Sequence, residues 1–172
     1  MAKMTWTSGD VSVKMDLEVI YDYINHITKG EAGRKILESM VVRYQTFSYR
    51  RFMKMSAGGS SWKRLSKRRV KAKGHALILQ DTRSLLNVFN PTSINNTGLH
   101  VNFLRRSVEV GFSVAGHPSG MSFRKLAEIH TFGLGRNPQR VIMVRPDADT
   151  QKLMGQDTLK IINDAKRDWG LT

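Results

Sequence analysis

The longest regular pattern in the chain is a stripe of apolar residues between Glu31 and Met55. Its members recur at spacings of three, four or five residues, which is typical of one face of an α-helix. The stripe consists of Ile36, Leu37, Met40, Val41, Tyr44, Phe47, Phe52 and Met55. At ~1.5 Å per residue the predicted helix is roughly 35 Å long. Any fold of this chain must therefore accommodate one long helix.

Short segments with strand patterns lie at the start and in the middle of the chain. Val11 to Lys14 alternates apolar and polar residues and predicts a strand. Leu99 to Phe103 and Ser107 to Phe112 predict two more, and Arg105-Arg106 lies in the turn that makes them a hairpin. Val141 to Val144 is β-branched and predicts a further short strand.

Other helices are predicted from caps and apolar spacing. Asp16 is a candidate N-cap for a helix from Leu17 to Ile27, and Ser122 is one for a later helix. The apolar segment from Leu77 to Phe89 has Asp81 as a possible cap, after which Leu85, Leu86 and Phe89 would face the core. The segment from Thr150 to Trp169 predicts a last helix, on which Met154, Thr158, Ile162, Ala165 and Trp169 share a face. Helices at both ends with strands between them predict an α+β fold. Long N-terminal helices and a C-terminal helix would pack on a small antiparallel or mixed sheet.

Composition narrows the class of protein. The 172 residues fit one domain, spanning residues 1–172, and the net charge is +14. No cysteine is present, which excludes disulfides and thiolate-bound metals. The N-terminus lacks the apolar run of a secretory signal, and no segment approaches the ~20 apolar residues that span a bilayer. We therefore expect synthesis in a cytoplasm, no membrane partner, and a partner with negative charge.

The positive charge is concentrated in one stretch, which we call the basic segment, from Arg50 to Lys73. It holds ten Lys or Arg in twenty-four residues and no acid. They are Arg50, Arg51, Lys54, Lys63, Arg64, Lys67, Arg68, Arg69, Lys71 and Lys73. Gly58, Gly59, Trp62 and Leu65 lie within it. Residues 56–76 are expected to form a long basic arm or loop, in which Ser66 to Lys73 is either a short helix or extended.

Three interpretations of the basic segment remain open at the level of sequence. It is a solvated loop without a role, or its cations neutralise nucleic-acid phosphates while Trp62 stacks on a base. Alternatively it docks on an acidic protein surface, with Trp62 as a buried anchor and Gly58-Gly59 as a hinge. Charge alone does not separate the second interpretation from the third.

The sequence gives little indication of catalysis. Motifs for a nucleophile elbow, a P-loop, a dinucleotide site and a zinc protease are missing. The five histidines, which include His117 and His130, do not have the spacing of metal ligands. Glu128 and His130 are two residues apart, so on a helix they would face different ways. We therefore expect no catalytic residues, no bound metal and no cofactor.

Three local patterns occur in order along the chain: the Gly-Gly-Trp-Leu element of the basic segment, ILQDTRSLLNVF at Ile78 to Phe89, and AEIHTFGLGRNPQRVIMV at Ala127 to Val144. Together they resemble the virion morphogenesis, or tail completion, family of tailed bacteriophages. The family has a helix that ends before G-G-x-W-x-x-L, then I-L-x-D-T-G-x-L, then I-H-Q-F-G and a Pro-x-Arg segment. In this chain Gly58, Gly59, Trp62 and Leu65 match the first element, with one extra residue before the tryptophan. The resemblance covers about Phe52 to Val144.

The second and third elements match with single departures. Ile78, Leu79, Asp81, Thr82 and Leu85 fit the second, and Arg83 stands where the family has glycine. Ile129, His130, Phe132 and Gly133 fit the third, with Thr131 in place of glutamine, followed by Pro138 and Arg140. We expect these motif residues to have structural roles, with Gly133 ending a helix.

The resemblance implies a structural, non-enzymatic protein of the phage neck or the head-proximal end of the tail. Members of that family form rings, often sixfold, that complete the tail and allow it to join the head. For this chain it implies a homo-oligomer, expected to be a hexameric ring in the virion, with other neck, connector and tail-tube proteins as partners. Non-specific contact with genomic DNA is a further expectation. The alternative is a stand-alone nucleic-acid-binding protein that uses the same basic segment.

Overall fold

The computed structural model describes residues 3–5, 12–16, 31–56, 62–80, 83–92 and 98–168. Its strands are β1 (Lys3–Thr5), β2 (Ser12–Asp16), β3 (Leu99–Phe103) and β4 (Ser107–Phe112). Its helices are α1 (Glu31–Ser56), α2 (Lys67–Lys73), α3 (Ser84–Asn87), α4 (Phe123–Phe132) and α5 (Ala148–Asp168). The described chain is α+β, which confirms the predicted fold class.

The four strands form one sheet in the order β1-β2-β4-β3. β1 and β2 are antiparallel, with Met4 opposite Met15. The hairpin of β3 and β4 has the bounds that the sequence predicts, and the Leu104 N–H donates to the Ser107 carbonyl across its turn at 2.8 Å. The strand predicted from Val11 to Lys14 is β2, which begins one residue later and ends two residues later than predicted. The predicted helix from Leu17 to Ile27 falls outside the described residues.

The chain divides into two compact units. Unit 1 comprises residues 1–44, 101–110 and 145–172, and unit 2 comprises residues 45–100 and 111–144. Helix α1 and the hairpin each contribute residues to both units, so this division does not test the prediction of a single domain.

Unit 1 has an apolar interior to which the first half of α1 contributes Ile36, Met40 and Val41, all at most 1% exposed. Two further buried side chains are Val108 of β4 and Met154 of α5. The buried residues of α1 and α5 are positions of the predicted apolar faces, so each of these helices is oriented with its apolar face inward.

Unit 2 is centred on a series of aromatic rings. Trp62 packs edge-on against Phe52 with 5.1 Å between ring centroids, and Phe52 lies 6.3 Å from Phe89. Phe89 in turn meets Phe112 edge-on at 5.6 Å. Edge-to-face rings at these distances are favourable beyond their burial. Three segments distant in sequence are thereby held to the second half of α1.

Two predictions of local structure in unit 2 are wrong. Val141 to Val144 is not a strand, because Arg51 donates hydrogen bonds to the Val141 and Ile142 carbonyls at 3.0 and 2.9 Å. In the segment from Leu77 to Phe89 the described residues are helical only over α3, a shorter helix than the Asp81 cap predicts, although Leu85, Leu86 and Phe89 are buried as expected. Leu79 and Arg83 have φ values of 57° and 54°, which right-handed helix does not permit.

Candidate functional site

Unit 2 contains a cleft of about 1080 Å³. We call it the basic cleft, because six of its described lining residues are Lys or Arg and none of those described is Asp or Glu. The six cations are Lys63, Arg64, Arg69, Lys73, Arg136 and Arg140. Leu65, Ile78, Leu79, Leu85 and Leu126 contribute apolar surface. The cleft therefore combines a uniform positive charge with a substantial apolar lining.

One wall of the basic cleft is built by the end of α4. The Ser122 hydroxyl caps the start of this helix by accepting from the Lys125 N–H at 3.1 Å, as predicted. At the other end Gly133 is the C-cap at φ 67°, and its N–H donates to the Ile129 carbonyl. A Cβ at this position would lie 3.0 Å from the Gln139 nitrogen. Glycine therefore allows the following loop to fold back tightly, which confirms the predicted role of Gly133.

The loop that folds back carries Arg140 into the interior. The backbone N–H of Arg140 donates to the His130 carbonyl at 2.6 Å. The residue as a whole is only 5% exposed. One terminal nitrogen donates a long hydrogen bond of 3.4 Å to the Lys63 carbonyl, while Nε has no partner. No carboxylate of the described residues pairs with this guanidinium. Burial lowers the pKa of Arg140 because it disfavours the charged form.

His130 shares this environment. Its Nδ1 is buried and has no hydrogen-bond partner among the residues that the structure describes. Burial lowers the pKa of His130 to about 4, and the positive charges of Arg140 and Lys73 lower it further in the same direction. The imidazole is therefore neutral at neutral pH, and the cleft presents a neutral ring beside a buried cation.

The cleft lining also includes a short loop with His117, Pro118 and Ser119. The Ser119 backbone N–H donates to His117 Nδ1 at 3.0 Å, and the imidazole lies edge-on to Phe123 at 5.2 Å. Burial lowers the pKa of His117. These contacts fix the ring in place, so the loop is a defined wall.

The predicted partner contacts of the basic segment fall into three groups. Trp62 is 4% exposed, so the expectation that it is free to anchor a partner is corrected: its ring is part of the unit 2 interior. Leu65 is half-buried and lines the basic cleft. Gly58 and Gly59 lie outside the described residues.

The ten basic residues are similarly divided. Four of them line the basic cleft, namely Lys63, Arg64, Arg69 and Lys73. Arg51 is bound to backbone carbonyls, which corrects its assignment as a docking residue. The remaining five are exposed outside the cleft lining, namely Arg50, Lys54, Lys67, Arg68 and Lys71. Ser66 to Lys73, left open by the sequence, is helix α2 behind Ser66 as its N-cap.

The family-motif residues are brought together more than the sequence suggests. Leu85, His130, Pro138 and Arg140 all line the cleft. Ile129 is half-buried, and Phe132 is 42% exposed beside the Gly133 cap. Asp81 and Thr82 lie outside the described residues.

Arg136 and His117 are among the cleft residues that sequence reasoning missed. Neither belongs to the basic segment or to a matched motif position, so no local signal distinguished them. The sequence assigned Arg140 to a structural motif but did not indicate that its side chain is buried, because an arginine is usually solvated.

In the part of the chain that the structure describes, no three His, Asp or Glu residues are grouped so as to hold a metal ion. Within the same residues, every helix is too short or too polar to cross a bilayer. Comparison with known proteins finds no matching family model, no matching curated protein and no matching solved structure.

Proposed function

We propose that this chain is a structural protein of the neck or tail terminus of a tailed phage. It would assemble as a ring, hexameric by analogy with the family that its motifs resemble, and complete the tail for joining to the head. Its role would be association with copies of itself and with neighbouring connector and tail-tube proteins.

The observation that carries this proposal is the convergence of the three motif elements. Leu65, Leu85 and Arg140 come from three separate elements, yet all line one cleft within unit 2. Motifs that matched by chance would have no reason to share a surface. Their common location supports the interpretation that they form one functional element.

A second observation concerns Arg83, which stands where the family has glycine. Its φ of 54° and ψ of 5° are left-handed, the conformation in which glycine has no steric cost. The departure from the family pattern thus keeps the backbone geometry that the glycine would supply. This agreement supports the resemblance at the position where the sequence differs most.

Electron microscopy of lysates tests the proposal. A phage that carries this gene with an early stop codon is compared with the same phage complemented in trans. We expect filled heads separate from tails, or tails of abnormal length, and their rescue by complementation. Normal infectious virions without the gene would overturn the proposal.

A second candidate, a nucleic-acid-binding protein, is favoured by the exposed cations of α2, which include Lys67, Arg68 and Lys71. For such a protein the affinity for DNA falls steeply with salt, because bound cations are released from phosphates. Filter binding of duplex DNA at several salt concentrations distinguishes the two. Tight, salt-sensitive binding by the isolated protein together with normal virions would favour this candidate.

A further inference from the structure

The basic cleft contains a positive charge that the described chain does not neutralise. Arg140 is 5% exposed, has no carboxylate partner among the described residues, and leaves Nε without a hydrogen bond. A buried guanidinium is costly unless an anion and hydrogen-bond acceptors compensate it. Next to it, His130 Nδ1 is also buried without a partner. Two orphaned polar atoms at one cleft indicate a site for a ligand with oxygen acceptors.

The lining indicates the class of that ligand. Proteins that bind single-stranded nucleic acid usually offer aromatic rings on which bases stack, and the lining residues that the structure describes include no Trp, Tyr or Phe. It offers aliphatic side chains instead, among them Leu65, Ile78 and Leu126. Such a surface suits apolar side chains of a peptide, whereas the charged backbone of DNA gains little from it.

The position of Arg140 also favours a peptide over nucleic acid. Arg140 is 5% exposed, so an anion reaches it most easily at the end of a slender side chain. A Glu or Asp side chain has that shape, and a planar guanidinium pairs well with a carboxylate. The phosphates of a duplex are part of a wide, rigid rod and remain at the surface. Arg64, Arg69 and Arg136 around the cleft would attract further acidic residues.

We infer that the basic cleft of unit 2 is a docking site for an acidic peptide segment of a partner protein, in which one carboxylate pairs with Arg140 and apolar neighbours cover the leucines. The inference deepens the proposed function by giving the partner's chemistry. It rests on that function only for the statement that the partner is a virion protein.

The test selects ligands without assuming their sequence. The purified full-length protein is immobilised and exposed to a displayed library of short random peptides. We expect enriched peptides to combine Asp or Glu with Leu, Ile or Val. Enrichment without acidic residues, or no enrichment over an empty support, overturns the inference.

The enriched peptide is then labelled, and its Kd is measured with variants. Arg140→Met keeps the side-chain volume and removes the charge, and we expect it to weaken binding by about tenfold or more. Arg136→Glu reverses an exposed charge of the cleft without altering the interior, and we expect it to weaken binding several-fold. The control Arg105→Met removes an exposed arginine of the hairpin turn in unit 1 and should leave Kd unchanged. Equal binding by all variants overturns the inference.

Two further measurements identify the contact. A peptide with Gln in place of its acidic residues should bind the native protein weakly and lose little more with Arg140→Met. Binding of the unsubstituted acidic peptide should also raise the pKa of His130, because a carboxylate next to the imidazole favours its charged form, and NMR titration measures this. A merely structural role for Arg140 would not cause that shift. If a labelled poly-deoxythymidine strand binds more tightly than the peptide and depends on Arg140, the site belongs to nucleic acid and the inference is wrong. None of these outcomes depends on virion morphology, so they are distinguishable from failure of the proposed function.

Discussion

Two arginines of this protein have opposite environments. In unit 1, Arg43 of α1 donates to both oxygens of Asp157 of α5, at 2.6 and 2.9 Å, and Ser39 donates to the same carboxylate at 3.1 Å. The hydrogen bonds with Asp157 raise the pKa of Arg43, and those from Arg43 lower the pKa of Asp157. In unit 2, Arg140 is more deeply buried and has no carboxylate among the described residues.

The difference shows how charge can be used in two ways by one chain. The Arg43–Asp157 pair is balanced in charge and joined by two hydrogen bonds, so it links α1 to α5. Arg140 is held by the fold at a cost in free energy that no described carboxylate offsets. We therefore expect changes to the first pair to alter stability and changes to the second site to alter binding.

The largest expected effect on stability comes from the series of aromatic rings at the centre of unit 2. Trp62→Ala removes a ring that packs against Phe52 and should lower the free energy of unfolding by about 3–5 kcal/mol. Urea denaturation followed by circular dichroism measures this. Trp62→Phe should cost much less, because it keeps an aromatic ring and removes an indole N–H that has no partner. A loss below about 1 kcal/mol for Trp62→Ala would show that the ring is not core and would restore its interpretation as a docking anchor.

The next effect concerns the turn that carries Arg140 inward. Gly133→Ala should destabilise the protein by about 1–3 kcal/mol, because a non-glycine residue is strained at this φ and its Cβ approaches the Gln139 backbone. Gly155→Ala is the control: this glycine lies in α5 with open space around it, so alanine should stabilise the helix by about 0.5–1 kcal/mol. Equal effects of the two substitutions in thermal unfolding would contradict the tight turn.

Breaking the ion pair of unit 1 should have a moderate effect. Asp157→Asn removes the negative charge that holds Arg43, and we expect a loss of about 1 kcal/mol because both side chains are partly exposed. A double-mutant cycle with Arg43→Met isolates the coupling between them. A coupling energy of zero would mean that the pair does not join α1 and α5 energetically.

Arg140→Met should change the free energy of unfolding least, and any change should be an increase, whereas Asp157→Asn lowers it. Removing a buried charge that lacks a carboxylate is expected to leave the free energy of unfolding within about 1 kcal/mol of the native value, or to raise it. Chemical denaturation of Arg140→Met and Asp157→Asn side by side gives the comparison. A large destabilisation by Arg140→Met would show that this arginine is structural and would remove the contrast between the two units.

Acid should affect the two regions in different pH ranges. The pKa of His130 is about 4 in the fold against an ordinary value of 6.5, so the unfolded chain binds its proton first. Stability from this group is present above about pH 6.5 and is lost as the pH falls from there to about 4. The pKa of Asp157 lies below its ordinary 3.8, so its contribution is lost only at lower pH. NMR titration of His130 checks the first range, and Arg140→Met should raise the pKa of that imidazole toward 6.5.

Local features of the fold could be predicted from the sequence because their causes are local. The apolar stripe of α1, the hairpin around Arg105-Arg106 and the caps Ser122 and Gly133 all depend on residues a few positions apart. Predictions failed where distant contacts decide the outcome. Val141 and Ile142 have a strand composition, yet their carbonyls accept from Arg51, which lies 90 and 91 residues earlier.

The candidate site shows the same division. The sequence alone determined that the chain is basic, that its positive charge is concentrated before residue 74, and that α+β is its class. Only the tertiary structure placed Trp62 in the interior, grouped the motif residues at one cleft and buried Arg140. The Arg140 side chain reaches the Lys63 carbonyl across 77 residues, and no pattern of neighbouring residues encodes such a contact. Burial of a charge results from packing between distant segments, so it becomes visible only when those segments are folded together.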